Sequence, residues 1–430
     1  MLFSKLKLPT IAESAVKYTA ANFLNAVVPI LLLPFLTSYL SKEDYGLVSL
    51  FQVFVMIILP CAGFNGQAAV EREYFNANKE FSTYVSNSIF LVFLSGSFIL
   101  LIGIIFNQQL SRYTDFPAEY LWVVPVYCIF HNACEILLSV WRLHNKATYY
   151  GLFRIGRTLL EVFASIYLVT RLTNGWFGRV EGMLLAAALF AILAIIFLKQ
   201  MRFLVLKWKT EYVRDILKFG IPLIPHILGG VVMVYSDRLF ITKMVGLSET
   251  GSYTVGYQVA MAIALLQSSF NLAWVPWFYS KLNLNSATVN RKIVKITYWY
   301  CLIILSCALL LTLVSPLIFH IFVNKLYHDS IQFVFWIALG FAFDGMYKMM
   351  VNYIFYIKKT YIISLITFLT AILNLGLNYS FILEYGAVGA AKATALCMFF
   401  EFIVVWWISN RIFPMPWRLS KMQDTLEAKS

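Results

Sequence analysis

Residues 233–257 read Met-Val-Tyr-Ser-Asp-Arg-Leu-Phe-Ile-Thr-Lys-Met-Val-Gly-Leu-Ser-Glu-Thr-Gly-Ser-Tyr-Thr-Val-Gly-Tyr. The stretch sets an acid and a base, Asp237 and Arg238, inside an otherwise apolar helix. That helix ends at Gly246, and a short turn leads through Gly251 into the next apolar run. A charge in hydrocarbon costs on the order of several kcal/mol, so such a pair faces a cavity or a partner.

The rest of the chain has the same character. Of its 430 residues 60% are hydrophobic and 13% charged, with a mean hydropathy of +0.75. Apolar runs of roughly 20 residues recur from end to end, each long enough to span a bilayer. Backbone groups in lipid must be satisfied within the segment, which makes helices the expected element; a β-barrel would show short alternating segments. The fold class expected is an all-α polytopic membrane protein.

Twelve spans are expected, near 18–40, 45–68, 84–106, 119–141, 152–171, 177–198, 219–245, 252–277, 296–319, 331–355, 361–383 and 386–409. They group as an N-terminal six-helix lobe (1–198), a basic linker (199–218), a C-terminal six-helix lobe (219–410) and a tail (411–430). The net charge of +13 lies between spans, where it reads as a topology signal and as headgroup contacts rather than as a nucleic-acid footprint. Lys199, Arg202, Lys207, Lys209, Arg214 and Lys218 crowd the linker and place it, with both termini, on the cytoplasmic side. No cleavable signal peptide is visible, because the first apolar run, from near Tyr18, is too long for one. Cys61, Cys128, Cys134, Cys301, Cys307 and Cys397 all fall in apolar runs without metal spacing and read as buried thiols. No long loop of the kind that builds a membrane transferase or polymerase site is present, and no P-loop or hydrolase motif, so neither catalysis nor ATP-driven transport is expected.

The halves resemble one another. Asp44-Tyr-Gly46 follows the first span and Glu249-Thr-Gly251 the seventh; Lys146-Ala-Thr-Tyr149 matches Lys358-Lys-Thr-Tyr361; Gly182 matches Gly389. The offsets are about 205, 212 and 207 positions, in one order. Repeats of six spans share one orientation, and transporters built this way hold the substrate between the repeats.

Ionisable residues recur at helical spacing. His131, Glu135, Ser139 and Arg142 share a face of the fourth span, and Asp344, Lys348 and Asn352 an equivalent face of the tenth. Two readings stand: these groups line a shared cavity, or His131/Glu135 and Asp344/Lys348 satisfy each other. In the seventh span Pro222, Pro225, His226, Gly229 and Gly230 mark the helix as a moving part, with His226 either structural or a proton carrier. Asn22, Asn25, Pro29 and Pro34 match it loosely in the first. Further candidates are Glu71, Arg72 and Glu73, then Arg154, Arg157 and Glu161, then Lys392 and Glu401. Arg154 and Arg157 read as topology anchors or as ligands. Asn374 and Asn378 share a face and would bond sugar hydroxyls or link helices. Trp274, Trp277 and Tyr279 suit an interfacial belt or a sugar-stacking wall.

Tyr235-Ser-Asp-Arg-Leu-Phe-Ile241, with Gly251, Tyr253, Gly256 and Tyr257, resembles the start of the second half of Wzx-type polysaccharide flippases. Leu373-Asn-Leu-Gly-Leu-Asn378 and Tyr385-Gly-Ala-Val-Gly-Ala-Ala391 with Thr394 resemble that family's end. The family belongs to the multidrug/oligosaccharidyl-lipid/polysaccharide transporter superfamily, which includes the MATE extruders. The resemblance implies a V-shaped bundle of two six-helix lobes. It implies movement of a polyprenyl-diphosphate-linked oligosaccharide, an O-antigen or other surface-polysaccharide unit, across the bacterial cytoplasmic membrane by alternating access. A proton or sodium gradient would drive it, with no cofactor; membrane lipids, a polysaccharide polymerase and chain-length proteins are the implied partners.

A diphosphate in low dielectric needs cations. Arg238 is the first candidate, then Arg72, Lys348 and Lys392, with Asn374 and Asn378 for the sugar. Asp344, Glu135, Asp237 and His131 are the candidates for ion coupling. The alternatives are a lipid II flippase, a multidrug extruder with a more acidic or apolar cavity, a membrane glycosyltransferase and a structural scaffold.

Overall fold

The computed structural model describes residues 8–75, 80–171, 175–284 and 286–417, and every regular element among them is helical. In chain order these are α1 (Leu8–Tyr39), α2 (Lys42–Ile58), α3 (Gly66–Glu73), α4 (Phe81–Ile105), α5 (Asn107–Thr114), α6 (Val123–Leu143), α7 (Ala147–Arg171) and α8 (Gly175–Gln200). There follow α9 (Thr210–Met244), α10 (Leu247–Leu282), α11 (Ala287–Phe322), α12 (Ile331–Tyr356), α13 (Thr360–Tyr385) and α14 (Ala387–Ile412). Each expected span except the second lies largely on one helix. Of the expected tail, residues 418–430 lie outside the described residues.

Nine helical segments among the described residues are long and apolar enough to cross a membrane, and Val27–Tyr39 is a shorter apolar stretch. Two of the twelve expected spans fall short for visible reasons. Helix α7 carries Arg154, Arg157, Glu161 and Arg171, and the second span is broken.

That break corrects the expectation of one continuous span over 45–68. Helix α2 stops at Ile58 and α3 starts at Gly66, with Gly63, Phe64 and Asn65 at positive φ between them. Carbonyls freed in hydrocarbon need partners, and the fold supplies them. Asn132 of α6 donates its side-chain amide to the carbonyls of Leu59 (3.2 Å) and Ala62. Ser95 of α4 accepts from the Gly63 N–H at 2.8 Å. A Cβ at Gly220 of α9 would run into the Phe64 carbonyl, so only glycine lets α9 pass the break.

The basic linker is strapped to α4. Ser86 Oγ donates to the Phe203 carbonyl at 2.8 Å and accepts from the Val205 N–H at 2.7 Å. Asn87 donates to the Lys207 carbonyl at 3.0 Å and accepts from the Lys209 N–H at 3.1 Å. Helix α9 begins within the stretch read as linker. By their internal contacts the residues fall into two units, Met1–Thr254 and Val255–Ser430.

In the first unit α6 is the central helix, with Cys128, Cys134, Leu137 and Val140 fully buried. Ala187, Ala191 and Ala194 on α8 are buried against this core, since small residues let helices approach where lipid offers no hydrophobic drive. The start of α10 crosses the start of α2: a Cβ on Gly46 would meet the Leu247 carbonyl, and one on Gly251 the Lys42 carbonyl.

In the second unit α12 and α14 lie side by side in the same direction. Gly340 abuts Ala395 and Met398, Phe343 and Phe399 have ring centroids 5.0 Å apart, and Ser409 Oγ donates to the Met350 carbonyl at 3.0 Å. Trp274 is neither belt nor sugar wall: it is buried in a stack with Phe270 and Phe278. Of the six cysteines Cys128, Cys134 and Cys397 are buried, whereas Cys61, Cys301 and Cys307 are half-buried.

Candidate substrate and ion sites

Asp237 and Arg238 are adjacent on α9, and adjacent helical side chains diverge by about 100°. The arginine nevertheless folds back: Arg238 Nη1 donates to Asp237 Oδ1 at 3.0 Å and to the Val234 carbonyl at 2.9 Å. Tyr253 of α10 donates to the other Asp237 oxygen, and the guanidinium carbon lies over the Tyr235 and Tyr253 rings at 5.2 and 5.6 Å. Only 4% of the arginine and 3% of the aspartate side chain is exposed. The two are an ion pair, and the first-choice substrate cation is compensated inside the fold.

Deeper in the first unit the face carrying His131 and Glu135 meets α7. Arg157, read as a topology anchor or a ligand, is instead buried, donating to His131 Nδ1 at 2.8 Å and to the Tyr127 hydroxyl at 3.3 Å. A nitrogen that accepts from a guanidinium carries no proton, so Nε2 holds the ring's proton and points at Glu135, 3.8 Å away. Arg154 donates to the Tyr150 hydroxyl at 2.6 Å. Glu161 pairs with Arg179 at 2.8 Å, and Arg179 also donates to Ser165 Oγ at 2.7 Å. Ser139 and Arg142 leave the other members of their stripe and both bind Glu71.

Beside Glu71 in the last turn of α3, Arg72 pairs with Asp215 of α9 and stacks on the Phe219 ring at 4.4 Å; Tyr84 donates to the same carboxylate at 2.9 Å. Arg179 and Asp215 escaped the reading of the chain. Each sits near a helix end, where a charge reads as solvated, and each finds its partner on another helix. His226 is exposed on α9.

In the second unit Asp344 is held by Lys348 Nζ at 2.8 Å and Gln267 Nε2 at 2.5 Å, and Asn352 donates to the Lys348 carbonyl at 2.7 Å. Side-chain exposures of 26% and 32% leave Asp344 and Lys348 partly open. Asn374 and Asn378 are fully buried, with Asn378 Nδ2 donating to Asn374 Oδ1 at 2.9 Å. Lys392 differs from the other three candidate cations. Its ammonium rests on the faces of Tyr385, at 3.5 Å, and Trp336, at 5.6 Å, and no carboxylate among the described residues pairs with it. An aromatic face attracts a cation without neutralising it.

Comparison with known proteins places this architecture. The model of a family described as polysaccharide biosynthesis protein matches residues 11–282. "Lsg locus putative protein 1" of Haemophilus influenzae is 24% identical over 84% of this chain and 88% of its own. "Probable low-salt glycan biosynthesis flippase Agl15" of Haloferax volcanii is 23% identical over 90% of this chain and 80% of its own. Among solved structures the fold matches the lipid II flippase MurJ in an inward closed conformation, with a TM-score of 0.75, 15% identity and coverage of 92% and 87%. It matches an inward-facing multidrug resistance MATE transporter of the MOP superfamily with a TM-score of 0.74, 14% identity and coverage of 90% and 94%. This multi-pass helical membrane protein therefore belongs to the polysaccharide biosynthesis protein family, the one its second-half motifs resemble.

Proposed function

We propose that this chain is a flippase that carries a polyprenyl-diphosphate-linked oligosaccharide from the cytoplasmic to the outer leaflet of a bacterial cytoplasmic membrane. The observation that carries the reading is the family match over residues 11–282, supported by a relative named as a glycan biosynthesis flippase along most of both chains. Each sugar hydroxyl stripped of water without a partner costs on the order of 2–7 kcal/mol, so such a cargo crosses only through a polar path. Alternating access would supply that path, with a proton or sodium gradient as the driving force and both termini cytoplasmic. A polysaccharide polymerase and chain-length proteins would act on the delivered unit.

Of the four candidate cations, Lys392 is the one we assign to the diphosphate. Arg238, Arg72 and Lys348 already face Asp237, Asp215 and Asp344. Lys392 faces no carboxylate among the described residues, and its two rings restrict its motion without competing for the anion.

The test is genetic. Deleting the gene in its own host should leave the lipid-linked repeat unit unreachable from outside the cell while its synthesis continues. The wild-type chain should restore access, and Lys392→Ala should not. Normal access in the deletion strain would overturn the reading. The likeness to MurJ favours lipid II as the second cargo to assay, and rescue of a strain lacking its own lipid II flippase would replace the oligosaccharide reading.

A further inference from the structure

None of the ion pairs described above includes Glu401. Glu401 lies near the middle of α14. It continues the stripe of Ala390, Thr394, Cys397, Val405 and Ser409 that α14 buries in the second unit. The contacts of Phe343 with Phe399 and of Ser409 with Met350 set the register of α12 against α14, and that register brings Glu401 level with Asp344. Thr367 of α13 hydrogen-bonds the Glu401 carboxyl, and the Asp344 charge acts directly on it.

The neighbouring titratable groups are Asp344, Tyr347 and Lys348 from α12, Cys397 from α14 itself and Tyr300 from α11. The packed face of α13 adds Thr367 and Asn374, which do not titrate, and α10 adds Gln267. The cluster thus holds two carboxyls and one ammonium. Lys348 pairs with Asp344 at 2.8 Å, and no Lys, Arg or His among the described residues pairs with Glu401. With both acids ionised, a site within the bundle carries an uncompensated negative charge beside a like charge, the arrangement in which two carboxyls hold one proton between them.

We propose that Glu401 is a proton-binding residue, and that Asp344 with Lys348 sets its occupancy. The proton comes from bulk water and forms an O–H bond on a Glu401 carboxylate oxygen, making the cluster neutral; no other bond forms or breaks. As the site of coupling, this deepens the flippase reading and rests on it; as a proton site it stands by itself.

The experiment keeps the two apart. The purified full-length chain in detergent is titrated from mildly alkaline to mildly acidic pH while infrared spectroscopy follows the C=O stretch of protonated carboxylic acids. The wild type should show a band that appears with acid. Glu401→Gln, which mimics the protonated side chain, should lose that band while its melting temperature holds. Asp344→Asn should keep the band and change the pH at which it appears, a shift that a merely structural acid would not show. A band unchanged in Glu401→Gln, or a Glu401 that stays ionised throughout, overturns the proposal. In liposomes, Glu401→Gln should exchange labelled lipid-linked oligosaccharide without any stimulation by a pH gradient. Stimulation equal to wild type would remove the coupling role. If wild type moves no lipid while the band still titrates, the flippase reading fails and the proton site remains.

Discussion

Thr254 Oγ1 donates a hydrogen bond to Ser49 Oγ at 2.9 Å, and the two residues are 205 positions apart. That separation is the repeat offset of Gly46 and Gly251. The glycine contacts are reciprocal: Gly46 lies against the carbonyl of Leu247, and Gly251 against that of Lys42. Equivalent residues that touch one another lie on a local two-fold axis, as in an isologous interface. The start of α2 therefore meets the start of α10 through positions that the expected repeat makes equivalent.

The proposed alternating access would require this contact to open. A Ser49→Cys/Thr254→Cys variant should form a disulfide under oxidation and lose transport, and reduction should restore it. Full activity of the oxidised protein would mean that the contact is static. Gly46→Ala and Gly251→Ala should each destabilise the protein by about 1–3 kcal/mol, since a methyl there meets backbone rather than a flexible side chain; melting in detergent checks this.

Burial changes what Arg238 is expected to do. Arg238→Ala leaves Asp237 enclosed without its cation, and breaking a buried pair costs about 3–5 kcal/mol. Its melting temperature should fall sharply. The double variant Asp237→Leu/Arg238→Met should recover most of the loss, because a matched apolar pair leaves no orphan charge. Lipid transport by that double variant would exclude Arg238 as the diphosphate ligand.

Asn132→Leu should destabilise the first unit by about 1–3 kcal/mol for each carbonyl it orphans at the α2–α3 break. Asn132→Asp keeps the size but offers only acceptors to Leu59 and Ala62, so it should be at least as damaging; thermal melts of both test it. A wild-type melt for either variant would show that the break has other support.

The linker strap should resist mild acid. Glu80 holds Lys207 and Lys209, and its carboxyl is lowered from the ordinary 4.5 to about 2, first by the hydrogen bond from Thr83 and then by the two lysines. A depressed value of this kind contributes above the ordinary carboxylate range and is lost only as pH falls through the lowered one. Proteolysis at Lys207 and Lys209 should therefore be the same at neutral pH and pH 5. It should rise in Asn87→Ala, which gives up both bonds to the linker backbone. Faster cleavage at pH 5 in the wild type would contradict the assignment.

The helices were legible because apolar runs of bilayer length announce themselves. The break in the second span was not, since Leu59, Cys61, Ala62 and Phe64 are as apolar as the helix around them; Pro60, Gly63 and the Asn65-Gly66 pair were its local marks. The polar network was read by spacing along single helices, which found Asp344 with Lys348 and His131 near Glu135. It missed every partner supplied from elsewhere: Arg157 for His131, Arg179 for Glu161, Asp215 for Arg72, Gln267 for Asp344. Charge position along a chain says where an ion sits in depth. Only packing decides what it faces, which is how Arg238 and Lys392, alike as intramembrane cations, come to be compensated and uncompensated.

The central claim is movement of lipid-linked oligosaccharide, and one measurement addresses it directly. The purified chain is reconstituted into liposomes carrying a fluorescent polyprenyl-diphosphate oligosaccharide in both leaflets, and an impermeant quencher is added outside. If the chain is a flippase, quenching continues beyond the outer-leaflet fraction towards completion, and Lys392→Ala slows that second phase. Quenching that stops at the outer-leaflet fraction, as in protein-free vesicles, would contradict it.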